Sequence, residues 1–378
     1  MDQWVSAETG HVAARFERDL AALVAVSSPS GDAAAFEECA AVAIALAPEE
    51  ASVERPACSS PDHAPDLMLR VVGSGDARLL LLGHLDTVHA HGSHRSLERT
   101  GDRWVGSGSV DMKGGDVLAL AVLRALADRR TDFAEVALLL VGDEEWRTSP
   151  FVHVERFAGW DACLCFEAGQ FADGEEGVVV KRKGAGTIRV RATGRAAHSG
   201  SAPDAGANAL SARSALGAAA EAVAARHDPA GPDRLTAVPT VIRSGDAFNV
   251  VPDAGELLCD VRADSLAAID TVADAIPGEV GGARLEAELL RRWPPMDSRE
   301  ATAGLLAHAA DAAGRRILAG GRGGASDASH FAPAIALTVD GLGPRGGAAH
   351  NPEEHVFVDS VQPRAEVALA MAQAALGG

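Results

Sequence analysis

The sequence predicts an α/β fold: a mostly parallel sheet with helices on both faces, interrupted by a second domain of ferredoxin-like α+β order. Three observations predict it. Short apolar runs end repeatedly in His or acidic residues, helical patterns separate those runs, and the order of elements changes between residues 184 and 290. A chain of 378 residues also exceeds the size at which one core keeps growing, so two domains are expected.

The continuous apolar runs at 79–82, 134–141, 162–166 and 335–339 suit strands buried on both faces. The first runs into Gly83-His84-Leu85-Asp86 and the second into Gly142-Asp143-Glu144-Glu145. The third ends at Glu167, and the fourth leads into a Gly-rich loop that reaches His350. Helical patterns such as 117–129 lie between them, so alternating β and α units and a largely parallel sheet follow. Ligands of such sheets bind beyond the carboxyl ends of the strands, where these residues fall.

The second region reads as a strand (187–192), an Ala-rich helix (208–226), two strands (236–242 and 256–261), a helix (266–275) and a last strand (284–289). The order β-α-β-β-α-β is that of a ferredoxin-like domain. The expected division is 1–183 with 291–378 for the outer domain and 184–290 for the insertion.

Composition narrows the function. A formal charge of −19 and the lack of a Lys/Arg run argue against nucleic acid and favour a bound cation. No apolar run is long enough to span a bilayer, and the start of the chain does not read as a secretory signal. Five Cys without paired spacing do not form a disulfide framework. Cys163 and Cys165 read as two reduced core thiols, and a cytoplasmic protein is expected.

Taken singly, the chemical residues are ambiguous. His84 with Asp86 two residues on can bind zinc, the Asp accepting the other ring N–H, or can be a surface pair beside a helix cap. His89, His91 and His94 read as solvated loop residues. Asp111 follows a Gly-rich stretch that matches no nucleotide loop, and it could equally be an N-cap. Glu144 and Glu145 repel one another unless a cation or water separates them. One could ligate a metal while the other handles a proton, or both could sit on an exposed turn. Glu167 and His350 alone read as cap or turn residues. Together, His, Asp, Glu, Glu and His at successive strand ends are donors suited to zinc, manganese or cobalt.

The chain resembles the family of two-zinc peptidases and amidohydrolases that includes aminoacylase, acetylornithine deacetylase, succinyl-diaminopimelate desuccinylase and glutamate carboxypeptidase. The matching stretches are GHLDTV (83–88), GSGSVDMKGG (106–115), GDEE (142–145), FE (166–167), TGRAAHSG (193–200) and HNPEE (350–354), in family order. The glutamate carboxypeptidase branch is nearest, through APDAGANAL (202–210) and NVVP (249–252).

The resemblance implies two zinc ions per chain, with cobalt or manganese as substitutes. His84 and Glu167 would hold one and Glu145 and His350 the other, with Asp111 bridging. Asp86 would orient His84, Glu144 would be the general base, and the Asp111–Met112 peptide would be cis. Glu167, rather than Asp, points to carboxypeptidases and deacylases. The inserted domain would form a homodimer, bringing His198 and Asn249 to the partner's site to stabilise the oxyanion, while Arg262 would grip a substrate carboxylate.

The implied activity is hydrolysis of an amide bond beside a free carboxylate, in an N-acyl amino acid or short peptide. A dipeptidase and a catalytically silent binding protein are the alternatives. Gly177 stands where glutamate carboxypeptidase has a Lys, with Lys181 and Lys183 further on. Trp293 replaces a basic residue. The resemblance therefore does not extend to a strict preference for C-terminal glutamate.

Overall fold

The computed structural model describes residues 1–210 and 215–377, which form two compact units. One comprises Met1–Lys181, Asp297–Gly321 and Ser326–Gly378, the other Arg182–Met296 and Arg322–Ala325.

In the first unit a six-stranded sheet runs in the order Ser52–Glu54, Leu67–Val72, Glu135–Val141, Arg78–His84, Ala162–Cys165, Leu337–Val339. The last four are mutually parallel, whereas Leu67–Val72 is antiparallel to Glu135–Val141 and Ser52–Glu54 is antiparallel to Leu67–Val72. Successive residues of a strand face opposite sides, and every residue from Val136 to Val141 is buried, so both faces are covered. That burial explains the uninterrupted apolar runs. Cys163 and Cys165 are both buried.

Helix Gly114–Ala127 packs on the two central strands, Arg78–His84 and Glu135–Val141. Its glycine start has a steric reason. A Cβ on Gly115 would lie 1.9 Å from the Phe166 carbonyl oxygen, so only Gly lets this helix start approach the chain that carries Glu167. Helix Val361–Leu376 packs on the same sheet, and no helix of the described residues is long and apolar enough to cross a membrane.

The second unit is an antiparallel sheet in the order Thr236–Ser244, Ala254–Ala263, Gly184–Thr193, Ala283–Trp293, Glu279–Val280. Helices Ala215–Ala224 and Leu266–Asp274 cover one face through Leu216, Val223, Ile269 and Val272. The helix expected from residue 208 does not begin there. Asn208 accepts a hydrogen bond from Leu210 N–H through its side chain at 2.8 Å, an Asx turn that competes with helix. Residues 211–214 of that expected helix lie outside the described residues.

Candidate metal centre

The fold brings together possible metal donors that are far apart in the chain. His84 is the last residue of Arg78–His84, a strand paired on both sides. Its Nδ1 lies 3.0 Å from the Asp86 carbonyl oxygen and 3.3 Å from Asp86 Oδ1. Asp86 in turn accepts Ser30 Oγ–H and, at 3.2 Å each, the Glu144 and Glu145 backbone N–H groups. One carboxylate thus fixes both the imidazole and the acidic turn. With Nδ1 so engaged, Nε2 is the nitrogen that a neutral His84 would offer to a metal on the opposite side.

On that side Nε2 lies 3.4 Å from Asp111 Oδ1 and 3.8 Å from Glu167 Oε1. Asp111 Oδ2 lies 3.2 Å from His350 Nε2, and so does Glu145 Oε2. Two groups of possible metal donors result, His84/Asp111/Glu167 and Asp111/Glu145/His350, sharing Asp111. Asp111 and Met112 are non-helical, the peptide between them is cis, and Lys113 takes the helix N-cap position instead.

Two atoms test whether a cation fits. His84 Nε2 and Glu145 Oε1 are buried without a hydrogen-bond partner, and the two residues belong one to each donor group. A cation would satisfy both, and mixed carboxylate and imidazole donors suit zinc-class ions. The donor set fits.

The titration behaviour follows from burial and charge. Burial opposes a charge on His84, but Asp111 and Asp86 outweigh it and hold the pKa well above the usual value. Burial would raise Asp111, yet His350 and His84 hold it well below the carboxylate range. Burial pushes Glu144 well up, and Asp327, Glu167 and Glu145 add to it against the opposing charge of His84. Glu145 is raised mainly by burial. Hydrogen bonds to Asp111 and Glu145 push His350 up to about 10.

The exposed-turn reading of Glu144 and Glu145 is corrected: their backbone N–H groups are tied to Asp86 and Glu144 is buried. His89 is corrected as well. It is buried and bonds Glu354 at 2.8 Å, whereas His91 is exposed and bonds Ser27 and Asp32. His94 is half-buried. Ser30, Glu354 and the buried Arg147, which bonds Asp143 four residues back and also Asp327, were missed because Asp86, Gly108 and Asp327 are remote from them in the chain.

In the second unit His198 is exposed, at the end of a two-residue strand paired with Val250–Val251. Its Nδ1 accepts the Gly200 and Ser201 N–H groups at 3.1 and 3.2 Å, which puts the ring proton on Nε2. Asn249 is exposed, and its carbonyl accepts Ser199 N–H at 3.0 Å. Arg262 is half-buried and bonds Asp260 at 3.0–3.1 Å, so a substrate carboxylate would have to displace that contact.

Carboxylate and imidazole donors gathered beside the ends of parallel strands suit a metal-dependent enzyme. The model of Peptidase family M20/M25/M40 matches residues 80–374, and the chain belongs to that family of metallopeptidases and related hydrolases. Carboxypeptidase G2 of Pseudomonas sp. (strain RS-16) is 27% identical over 311 residues, covering 78% of this chain and 73% of the relative. A tripeptidase from Staphylococcus aureus superposes with a TM-score of 0.75 at 20% identity, over 97% of this chain and 99% of that one. An M20 family metallo-carboxypeptidase from Sulfolobus solfataricus gives 0.68 at 16% identity, over the full length of both chains.

Proposed function

We propose that the chain hydrolyses an amide bond next to a free carboxylate, as a carboxypeptidase or N-acyl amino acid deacylase holding two zinc ions. The observation that carries this reading is the pair of donor groups sharing Asp111, with one buried atom in each, His84 Nε2 and Glu145 Oε1, lacking a hydrogen-bond partner. His84 and Glu167 would hold one ion, Glu145 and His350 the other, and Asp111 both. When bound, the ions supply a Lewis acid that polarises the carbonyl and acidifies water.

The chain's own groups do the rest. Asp86 holds His84 in the tautomer that presents Nε2. Glu144, whose burial favours holding a proton, takes it from the attacking water and returns it to the leaving nitrogen. His198 donates from Nε2 to the developing oxyanion with Asn249 beside it, a contribution of roughly 3–4 kcal/mol. Arg262 exchanges Asp260 for the substrate carboxylate. Similarity to carboxypeptidase G2 supports the carboxylate-adjacent bond, and the departures at Gly177 and Trp293 leave the side chain of that residue open.

His198 would act on the site of a second copy in a homodimer joined through the second unit. The edge strand Thr236–Ser244 supports this, since it exposes Val238 and Ile242, an apolar edge suited to a partner.

Two experiments test the reading. Zinc-loaded protein is incubated with N-acyl amino acids, dipeptides and their carboxyl-amidated forms, and amine release is followed. Cleavage is expected only where the carboxylate is free; equal cleavage of amidated forms removes the carboxylate-adjacent assignment, and release from dipeptides alone favours a dipeptidase. Mixing inactive His198→Ala with inactive Glu144→Gln under subunit exchange should restore part of the activity. No recovery despite demonstrated exchange removes His198 from the partner's site.

A further inference from the structure

Glu354 is a buried carboxylate that the mechanism above does not use. It is 1% exposed and accepts four hydrogen bonds. Oε1 receives the N–H groups of Val110 and Asp111 at 2.9 and 3.0 Å; Oε2 receives Gly108 N–H at 2.9 Å and His89 Nε2–H at 2.8 Å. Its carbonyl also accepts Gly106 N–H at 3.0 Å. Glu354 lies four residues after His350, in a turn closed by its own N–H to the Asn351 carbonyl at 2.9 Å. One short segment therefore carries a metal donor and grips the segment that carries the shared donor.

We infer that Glu354, anchored by His89, is a positioning residue that sets Asp111 against His350 and so couples the two metal clusters. The inference rests on the metal-centre reading above.

The chemistry singles out a carboxylate. All four partners donate, so both oxygens must accept, each twice. A glutamine offers one oxygen and turns an NH₂ group against the other two donors, leaving buried N–H groups unsatisfied. An aspartate keeps both acceptors on a side chain one methylene shorter. A carboxylate that merely stabilised its own loop would affect unfolding and, through His350, at most one of the two affinities. One that positions Asp111 affects both ions together, because both clusters share that residue.

The test strips metal from wild-type and variant chains, measures zinc affinity by competition with a chromogenic chelator, and follows thermal unfolding of the metal-free proteins. The wild type should bind two zinc ions. Glu354→Gln should unfold cooperatively yet bind both ions roughly 10–100-fold more weakly. Glu354→Asp should recover part of that loss, and His89→Ala should show a smaller one. A folded Glu354→Gln chain with wild-type affinity, or with only one of two affinities changed, overturns the inference. Should Glu354→Gln not unfold cooperatively, His89→Ala decides: weakened affinity supports the inference and unchanged affinity overturns it. A wild-type chain that takes up no zinc overturns the metal-centre reading and the inference with it.

Discussion

The two donor clusters share Asp111 but are built differently. The His84 side chain is 2% exposed and ends a strand paired on both sides, with Asp86, Ser30 and two backbone N–H groups behind it. The His350 side chain is 54% exposed and sits in a loop where both Ala348 and His350 adopt positive φ, 56° and 64°. Such backbone costs a non-glycine residue roughly 1–2 kcal/mol and persists only where surroundings hold it. One cluster is built into the sheet; the other is completed by a loop that hydrogen bonds hold in place. Placing a donor at a parallel strand end secures it through the fold, whereas a loop donor needs dedicated support.

Replacing each histidine is the strongest way to break the comparison. His84→Ala leaves the buried Asp86 without its imidazole partner, and in metal-free protein it should cost about 1–3 kcal/mol of stability. His350→Ala, half in solvent, should cost clearly less, although both variants should lose high-affinity binding at their own cluster. Urea unfolding with chelator present, followed by zinc titration, checks this. Equal stability losses would show that the loop half is as much a part of the fold as the sheet half.

A smaller effect concerns pH. The folded-state pKa of His350 is raised to about 10 from an ordinary 6.5. The positive charge therefore stabilises the metal-free fold fully below about 6.5 and fades as pH rises through about 10. Metal takes the neutral ring, so zinc must displace that proton at any pH below about 10. Affinity at this cluster should rise with pH across 7–9, by up to about tenfold per unit for the one proton. His350→Ala should flatten the dependence by about one proton. Wild-type affinity constant over that range would contradict the sign.

Much of the candidate donor set was legible because a parallel sheet delivers its strand ends to one place, so apolar runs leading into His84, Glu145 and Glu167 already implied a shared site. The order of strands and helices in the second unit was legible for a local reason, the change in apolar periodicity along the chain. Long-range contacts were not. His89 looked like a polar-loop residue because Glu354, its partner, is 265 positions away. Glu354 was visible in HNPEE, but nothing in that stretch shows that it meets the backbone of residues 108–111. The antiparallel strand Leu67–Val72 was also missed; Arg70 breaks its apolar run, and its guanidinium pairs with Glu135 on the neighbouring strand.

The central claim is that buried Glu144 moves the proton while its neighbours hold metal. The most direct test measures metal content and turnover of Glu144→Gln beside the wild type, on a substrate that the wild type cleaves. About two zinc ions per chain are expected in both proteins, with kcat of the variant lower by on the order of 10²–10⁴-fold. Near-native turnover in the variant, or full wild-type activity after metal has been verifiably removed, would contradict the account.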